Sequence, residues 1–145
     1  KISVKAHINA MKRCQPGVNE FELEAEFLFE FKRNGAGWAY SSIVGGGENS
    51  CILHYTENNQ VLNDKELVLI DAGAEYEGYA ADITRTFPVN GKYTVPQQEV
   101  YEVVLQAQEA AFAKVKAGNH WNDPHNAAVK ALTKGMVEIG LLKGK

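Results

Sequence analysis

Residues 67–88 read LVLIDAGAEYEGYAADITRTFP, with Glu77-Gly78 between two apolar runs. Apolar and β-branched runs on either side of a glycine-containing turn are typical of a β-hairpin. We therefore expect one strand over residues 67–74 and a second strand over residues 79–87. The first run begins with four consecutive apolar residues, the pattern of a buried strand, and then reaches the acid Asp71.

The hairpin carries two acids, Asp71 on the outgoing strand and Asp82 on the returning strand. A turn over residues 75–78 would place them opposite each other, with Cβ atoms about 5 Å apart. Two carboxylates at that separation destabilise a sheet unless protons or a cation compensate their charge. A pair of divalent metal ions is a natural compensator, because two-metal sites use bridging carboxylates and activate a water for attack on a carbonyl or phosphoryl group.

An ordinary structural role for these acids stays open at this point. Asp71 can end its strand as a turn former, and Asp82 can pair with Arg85. The same holds for His54, which lies in a predicted strand over residues 51–55. This histidine can be a hydrogen-bonded residue of a half-buried strand, or it can donate a hydrogen bond to a substrate carbonyl that develops negative charge.

The other three histidines, His7, His120 and His125, have no partner at ligand spacing, so we expect them at the surface. The run Gly45-Gly46-Gly47 matches no phosphate-binding fingerprint and is expected to form a flexible turn.

Helices are predicted on both sides of the β-rich region. Residues 21–31 fit either helical rows or strand alternation, but Asn19 followed by Glu22 is a plausible helix cap and favours the helix. Thr94 and Gln97 form a capping box for a later helix. The predicted helices span residues 2–11, 21–31, 94–118 and 123–140, and the remaining predicted strand spans residues 40–44. An antiparallel sheet packed against helices places the chain in the α+β class.

Composition narrows the classes of partner. The chain has 145 residues, enough for one domain with one hydrophobic core, and a net charge of −3 without a cluster of Lys and Arg. These values argue against a nucleic-acid partner. No apolar run reaches the roughly 18 to 20 residues of a membrane span, so no membrane partner is expected. Two cysteines are too few for a disulfide framework, which favours a cytoplasmic protein.

Two segments carry a specific resemblance, residues 52–58 (ILHYTEN) and residues 71–88 (DAGAEYEGYAADITRTFP). They resemble the Xaa-Pro aminopeptidase (aminopeptidase P) family, and the similarity continues through residues 89–92 into the following helices. The resemblance implies the pita-bread fold, in which two pseudo-symmetric halves enclose a site on a curved antiparallel sheet. Residues 1–145 are expected to be the amino-terminal half of that catalytic domain, without its second half or the domain that precedes it.

The resemblance also implies a metal site and a substrate. In that family two aspartates, one histidine and two glutamates hold two divalent ions, typically manganese. Asp71 matches the aspartate that binds one ion, Asp82 matches the one that bridges both, and His54 matches a histidine that contacts the substrate. The implied substrate is a peptide with proline in second position. No segment here matches the remaining three ligands, so this chain alone is expected to be inactive.

Alternative functions are a prolidase, which cleaves Xaa-Pro dipeptides, and a catalytically dead protein-binding module. The sequences of residues 55–58 and 83–86 favour the aminopeptidase over the prolidase. The presence of both Asp71 and Asp82 disfavours a dead module or a metal-free creatinase-like enzyme. Half of a shared sheet would expose a strand edge and apolar surface. We therefore expect a homo-oligomer.

Overall fold

The computed structural model describes residues 1–144. The chain divides into two compact units, Lys1–Lys92 and Tyr93–Lys145. The clustered hydrophobic core lies in the first unit and includes Leu23, Phe27, Phe31, Val44, Leu62 and Ile70. None of the helices in the described part of the chain is long and apolar enough to cross a membrane.

Two helices of the first unit, α1 (Ile2–Arg13) and α2 (Glu20–Arg33), confirm the sequence prediction. The capping box between Asn19 and Glu22 is present at the start of α2. Phe27 and Phe31, one turn apart, are fully buried on one face of this helix. The helical spacing of the large apolar residues therefore prevailed over the strand-like alternation of the same segment.

The first unit contains six short strands in two antiparallel sheets. One sheet has the order β2 (Ile43–Gly46), β3 (Leu67–Asp71), β6 (Thr84–Pro88), and the other has the order β1 (Gly37–Trp38), β4 (Ala74–Tyr76), β5 (Tyr79–Ala80). Each predicted strand of the hairpin is thus broken into two pieces that belong to different sheets. The break in the outgoing strand falls at Ala72-Gly73, where any side chain at Gly73 would collide with the carbonyl group of Ala81.

The hairpin is confirmed, but its predicted register is wrong by two residues. Tyr76 pairs with Tyr79, and Asp71 pairs with Thr84 instead of Asp82. The turn consists of Glu77 and Gly78 alone, with φ angles of 51° and 83°. Two positive φ values are the mark of a two-residue type I′ turn, whose twist matches that of the flanking strands. Side chains alternate with a period of two, so this slip leaves Asp82 on the same face as Asp71.

The predicted strand over residues 51–55 is also wrong. A short 3₁₀ helix spans Gly47–Cys51 and leads into a turn that contains His54. The expected glycine turn is wrong as well, because Gly45 and Gly46 lie in β2. A Cβ atom on Gly45 would lie 2.9 Å from the backbone carbon of Asn49. The glycine therefore allows the 3₁₀ helix to fold back closely onto the end of β2.

The second unit consists of helices α3 (Val95–Phe112) and α4 (Asp123–Glu138), which pack against each other. The predicted capping box between Thr94 and Gln97 is present, although α3 ends before the predicted boundary. A Cβ atom on Gly135 of α4 would lie 2.6 Å from a methyl carbon of Val103 on α3. Gly135 thus permits the close approach of the two helices.

His7 is buried, so the prediction of a surface position for this residue is wrong. Its side chain is on the inner face of α1, with Nε2 3.1 Å from the carbonyl oxygen of Ala72 and the ring against the edge of Phe27. No described residue forms a hydrogen bond with its Nδ1. His120 and His125 are exposed, as predicted. Burial lowers the pKa of His7, despite the opposing effect of the Ala72 hydrogen bond.

We expect this burial to make stability depend on pH. The pKa of His7 in the folded state lies below its unfolded value of 6.5, so the unfolded state binds more protons as pH falls below that value. The contribution to the free energy of unfolding is therefore full above the unfolded pKa and is lost as pH falls toward the folded pKa. Chemical denaturation of the wild type and of His7→Leu between about pH 8 and about pH 5 measures it.

The wild type should lose more stability than His7→Leu over this interval. A His125→Leu control, which removes an exposed histidine of α4, should lose as much as the wild type. Equal pH dependence in all three proteins would contradict the role of His7.

Candidate functional site

Two carboxylates converge on one phenol in the first unit. Asp71 is the last residue of β3, and Asp82 lies between β5 and β6. Tyr40 precedes β2, and its hydroxyl group contacts Oδ1 of Asp71 and lies 3.1 Å from Oδ1 of Asp82. The single hydroxyl proton of Tyr40 is shared by two carboxylates. The two acids are therefore close together, with fewer hydrogen-bond donors than their oxygens can accept.

The electrostatics of Tyr40 follow from this arrangement. Burial raises the pKa of its hydroxyl group, and the hydrogen bonds and negative charges of Asp71 and Asp82 raise it further. The phenol therefore remains protonated and continues to donate to the acids at neutral pH. Tyr40 was not identified from the sequence, because it belongs to no short motif and its role depends on the pairing of Ile43 with Asp71.

His54 lies at the same cleft. The cleft has a volume of about 370 Å³, and it is lined by Tyr40, Ser41, Ile43, His54, Thr56, Asp71 and Asp82. His54 is exposed and has a φ of 57°, in the left-handed region that few residues other than glycine adopt. The structure thus brings together all three residues that the sequence singled out, although His54 reaches the cleft from a turn instead of a strand.

The chemistry of the cleft fits part of a metal site. Carboxylate oxygens suit hard divalent ions such as Mg²⁺ and Mn²⁺. The guanidinium group of Arg85 donates to the carbonyl oxygen of Thr84 at 2.7 Å and forms no ion pair within residues 1–144. The alternative in which Arg85 pairs with Asp82 is therefore wrong. Nor do residues 1–144 contain a group of three His, Cys, Asp or Glu side chains placed to hold an ion. Asp71 and Asp82 therefore fit as two members of a larger donor set.

Residues 1–144 match the model of metallopeptidase family M24. The chain belongs to this family. Curated relatives of this M24 chain include the Xaa-Pro aminopeptidases of Escherichia coli K12 and Haemophilus influenzae, which are 49% and 50% identical to it over 145 residues. Each alignment covers 99% of this chain but only 33% and 34% of the two relatives. The M24 chain thus spans about one third of the length of these relatives.

Solved structures of related enzymes have the same fold. Aminopeptidase PepP of Pseudomonas aeruginosa matches with a TM-score of 0.97 and 51% identity, and proline aminopeptidase P II of Yersinia pestis matches with 0.96 and 53%. A zinc-substituted Escherichia coli aminopeptidase P in complex with product matches with 0.96 and 49%. Each match covers 99% of this chain and 33% of the solved chain. The predicted α+β class and pita-bread fold are thereby confirmed.

Proposed function

We propose that this M24 chain provides two metal ligands and a substrate-binding histidine to an Xaa-Pro aminopeptidase. Such an enzyme releases the N-terminal residue from peptides with proline in second position. The observation that carries the proposal is the convergence of Asp71 and Asp82 on the Tyr40 hydroxyl group, in a cleft that His54 also lines. The names of the relatives support this choice of reaction.

In this proposal Asp71 and Asp82 would be carboxylate ligands of two divalent ions. We propose manganese as the metal. Bound divalent ions polarise a carbonyl group and lower the pKa of water, which provides a nucleophile at neutral pH. Tyr40 contributes by donating to the carboxylates, which fixes their orientation.

His54 would donate a hydrogen bond to the substrate near the scissile Xaa-Pro bond, where negative charge develops on the carbonyl oxygen. Its exposure at the cleft leaves the imidazole accessible to a peptide. The backbone of His54 is left-handed, as it is at Asn58, Lys65 and Glu77, so the assignment rests on the position of the imidazole at the cleft.

The remaining ligands of the donor set would come from outside these residues, so we infer that this chain alone is inactive. A homo-oligomer and a cytoplasmic location remain predictions. The proposed partner is a peptide with proline in second position.

Substrate length distinguishes the proposal from its alternatives. We expect the intact protein with manganese to cleave an Xaa-Pro-Xaa tripeptide at least about tenfold faster, in kcat/KM, than the Xaa-Pro dipeptide, a difference of about 1.4 kcal/mol. An Xaa-Ala-Xaa tripeptide controls for the need for proline and should be cleaved poorly. Preference for the dipeptide would identify a prolidase. A folded, manganese-loaded protein that cleaves none of these peptides would indicate a binding module.

A further inference from the structure

Glu20, the first residue of α2, has a fully buried carboxylate that forms no ion pair among the described residues. Burial of a charged group is unfavourable by several kcal/mol unless its hydrogen-bonding capacity is satisfied. Four groups satisfy it here. Oε1 accepts from the backbone N–H of Gly46 at 2.8 Å and from Nδ2 of Asn49 at 3.0 Å; Oε2 accepts from the hydroxyl of Tyr55 at 2.7 Å and from the backbone N–H of Gln60 at 3.0 Å.

This arrangement fits a side chain that accepts hydrogen bonds at both of its terminal oxygens. Three of the four partners are N–H groups, which can only donate, and each oxygen of Glu20 faces at least one of them. A carboxylate accepts at both oxygens, whereas an amide would present its own N–H donors to one of these groups. Glu20→Gln therefore keeps the volume of the side chain but places an amide N–H against another N–H donor at a buried position.

The four partners lie on both sides of His54. We use the name His54 loop for residues 47–66, which connect β2 with β3. Gly46 and Asn49 precede His54, and Tyr55 and Gln60 follow it. The His54 loop contains a 3₁₀ helix and an isolated bridge but no strand, so it lacks the regular backbone ladder that would fix its course. Three backbone hydrogen bonds join Gln60 and Leu62 to residues 17–20. On either side of His54, the side chains of Asn49 and Tyr55 are held by the carboxylate of Glu20.

A second buried side chain assists from within the His54 loop. Asn58 is 1% exposed, and its Oδ1 accepts from the backbone N–H of Val44 at 2.9 Å. Its Nδ2 donates to the carbonyl oxygen of Ser42 at 2.9 Å. Asn58 thus ties the segment that follows the turn to β2 and the residue before it, while Glu20 ties both flanks of His54 to α2.

We propose that Glu20 is a positioning residue for His54. Its buried carboxylate holds the His54 loop so that the imidazole stays at the cleft of Asp71 and Asp82. Glu20 does not line this cleft, so it acts on the reaction only through the loop, by way of Tyr55, the neighbour of His54. This inference rests on the proposed role of His54 in peptide hydrolysis.

Glu30 provides a matched control on the same helix. Its carboxylate is also fully buried; it accepts one hydrogen bond from Asn34 at 2.9 Å and one from Asn9 at 3.3 Å, and it lies 3.1 Å from Lys5 and 3.7 Å from Arg33. These contacts lie in α1 and at the end of α2, away from the His54 loop. Glu30→Gln thus disturbs a buried carboxylate of the same helix without touching the loop.

The test is a double-mutant cycle in the intact, manganese-loaded protein. Glu20→Gln, His54→Ala and their combination are compared by kcat, KM, metal content and denaturant midpoint. Displacement of a reacting group by about 1 Å can lower a rate about 100-fold, so we expect Glu20→Gln to lower kcat about 10- to 100-fold with unchanged metal content. In the His54→Ala background it should lower kcat no further, whereas its effect on the denaturant midpoint should be the same in both backgrounds.

Glu30→Gln should lower the denaturant midpoint while kcat stays within about twofold of the wild type, because it acts on stability alone. Tyr55→Phe removes one donor to Glu20 and leaves the other three. It replaces Glu20→Gln as the test variant if Glu20→Gln does not fold. It should lower kcat in the wild-type background and leave it unchanged in the His54→Ala background.

The outcomes separate the two proposals. If His54→Ala lowers kcat but Glu20→Gln or Tyr55→Phe lowers it equally in both backgrounds, Glu20 does not act through His54 and the positioning role is overturned. Loss of bound metal in Glu20→Gln would overturn it as well. If His54→Ala leaves kcat unchanged, the assignment of His54 fails, and the positioning role fails with it.

Discussion

Asp82→Asn is expected to abolish peptide hydrolysis by the intact protein and to remove bound metal. The substitution keeps the size of the side chain but replaces a charged carboxylate with a neutral amide, which is a weaker ligand for a hard divalent ion. We expect kcat to fall by more than the roughly 10²- to 10³-fold that loss of a single transition-state donor causes. Asp82 is exposed and outside the strands, so the fold should survive the change.

The control for this prediction is Asp64→Asn. Asp64 is another exposed aspartate of the first unit, and its Oδ1 accepts a hydrogen bond from Asn90 at 2.7 Å, away from the cleft. This variant should keep its metal and its activity. Full metal occupancy and near-normal kcat in Asp82→Asn would contradict the assignment of Asp82 as a ligand.

His54→Ala should lower kcat about 10²- to 10³-fold, the effect of removing one donor to a developing oxyanion, while metal content stays unchanged. The reason for the difference from Asp82→Asn is that His54 would act on the substrate and not on the metal. Steady-state kinetics with an Xaa-Pro tripeptide and measurement of bound metal test both parts.

His125→Ala, which removes an exposed histidine of α4, is the control and should behave as the wild type. A His54→Ala protein with unchanged kcat would make His54 an ordinary surface residue. A His54→Ala protein without metal would make His54 a ligand.

The features that the sequence predicted correctly depend on short stretches of chain. The capping boxes at Asn19 and Thr94 lie within four residues of chain, and both are present where they were expected. The acid at the end of the buried run, Asp71, also lies at the end of its strand. Such features depend on neighbouring residues alone, so they can be recognised without knowledge of tertiary contacts.

The remaining features depend on residues that are distant in sequence. The register of the hairpin followed from the two-residue turn at Glu77-Gly78, whose centre lies one position beyond that of a turn over residues 75–78. Burial of His7 and Glu20 could not be predicted, because both are polar residues whose partners lie 65 and up to 40 positions away. Tyr40 likewise meets Asp71 and Asp82 only after β2 and β3 have paired.

We propose that Asp71 and Asp82 bind catalytic metal in a cleft where His54 contacts the substrate. Parallel measurement of metal content and kcat in Asp82→Asn and His54→Ala, both in the intact protein, tests it most directly. Asp82→Asn should lose metal and activity together, whereas His54→Ala should keep its metal and lose activity. Retention of both metal and activity by Asp82→Asn would show that Asp82 is not a metal ligand.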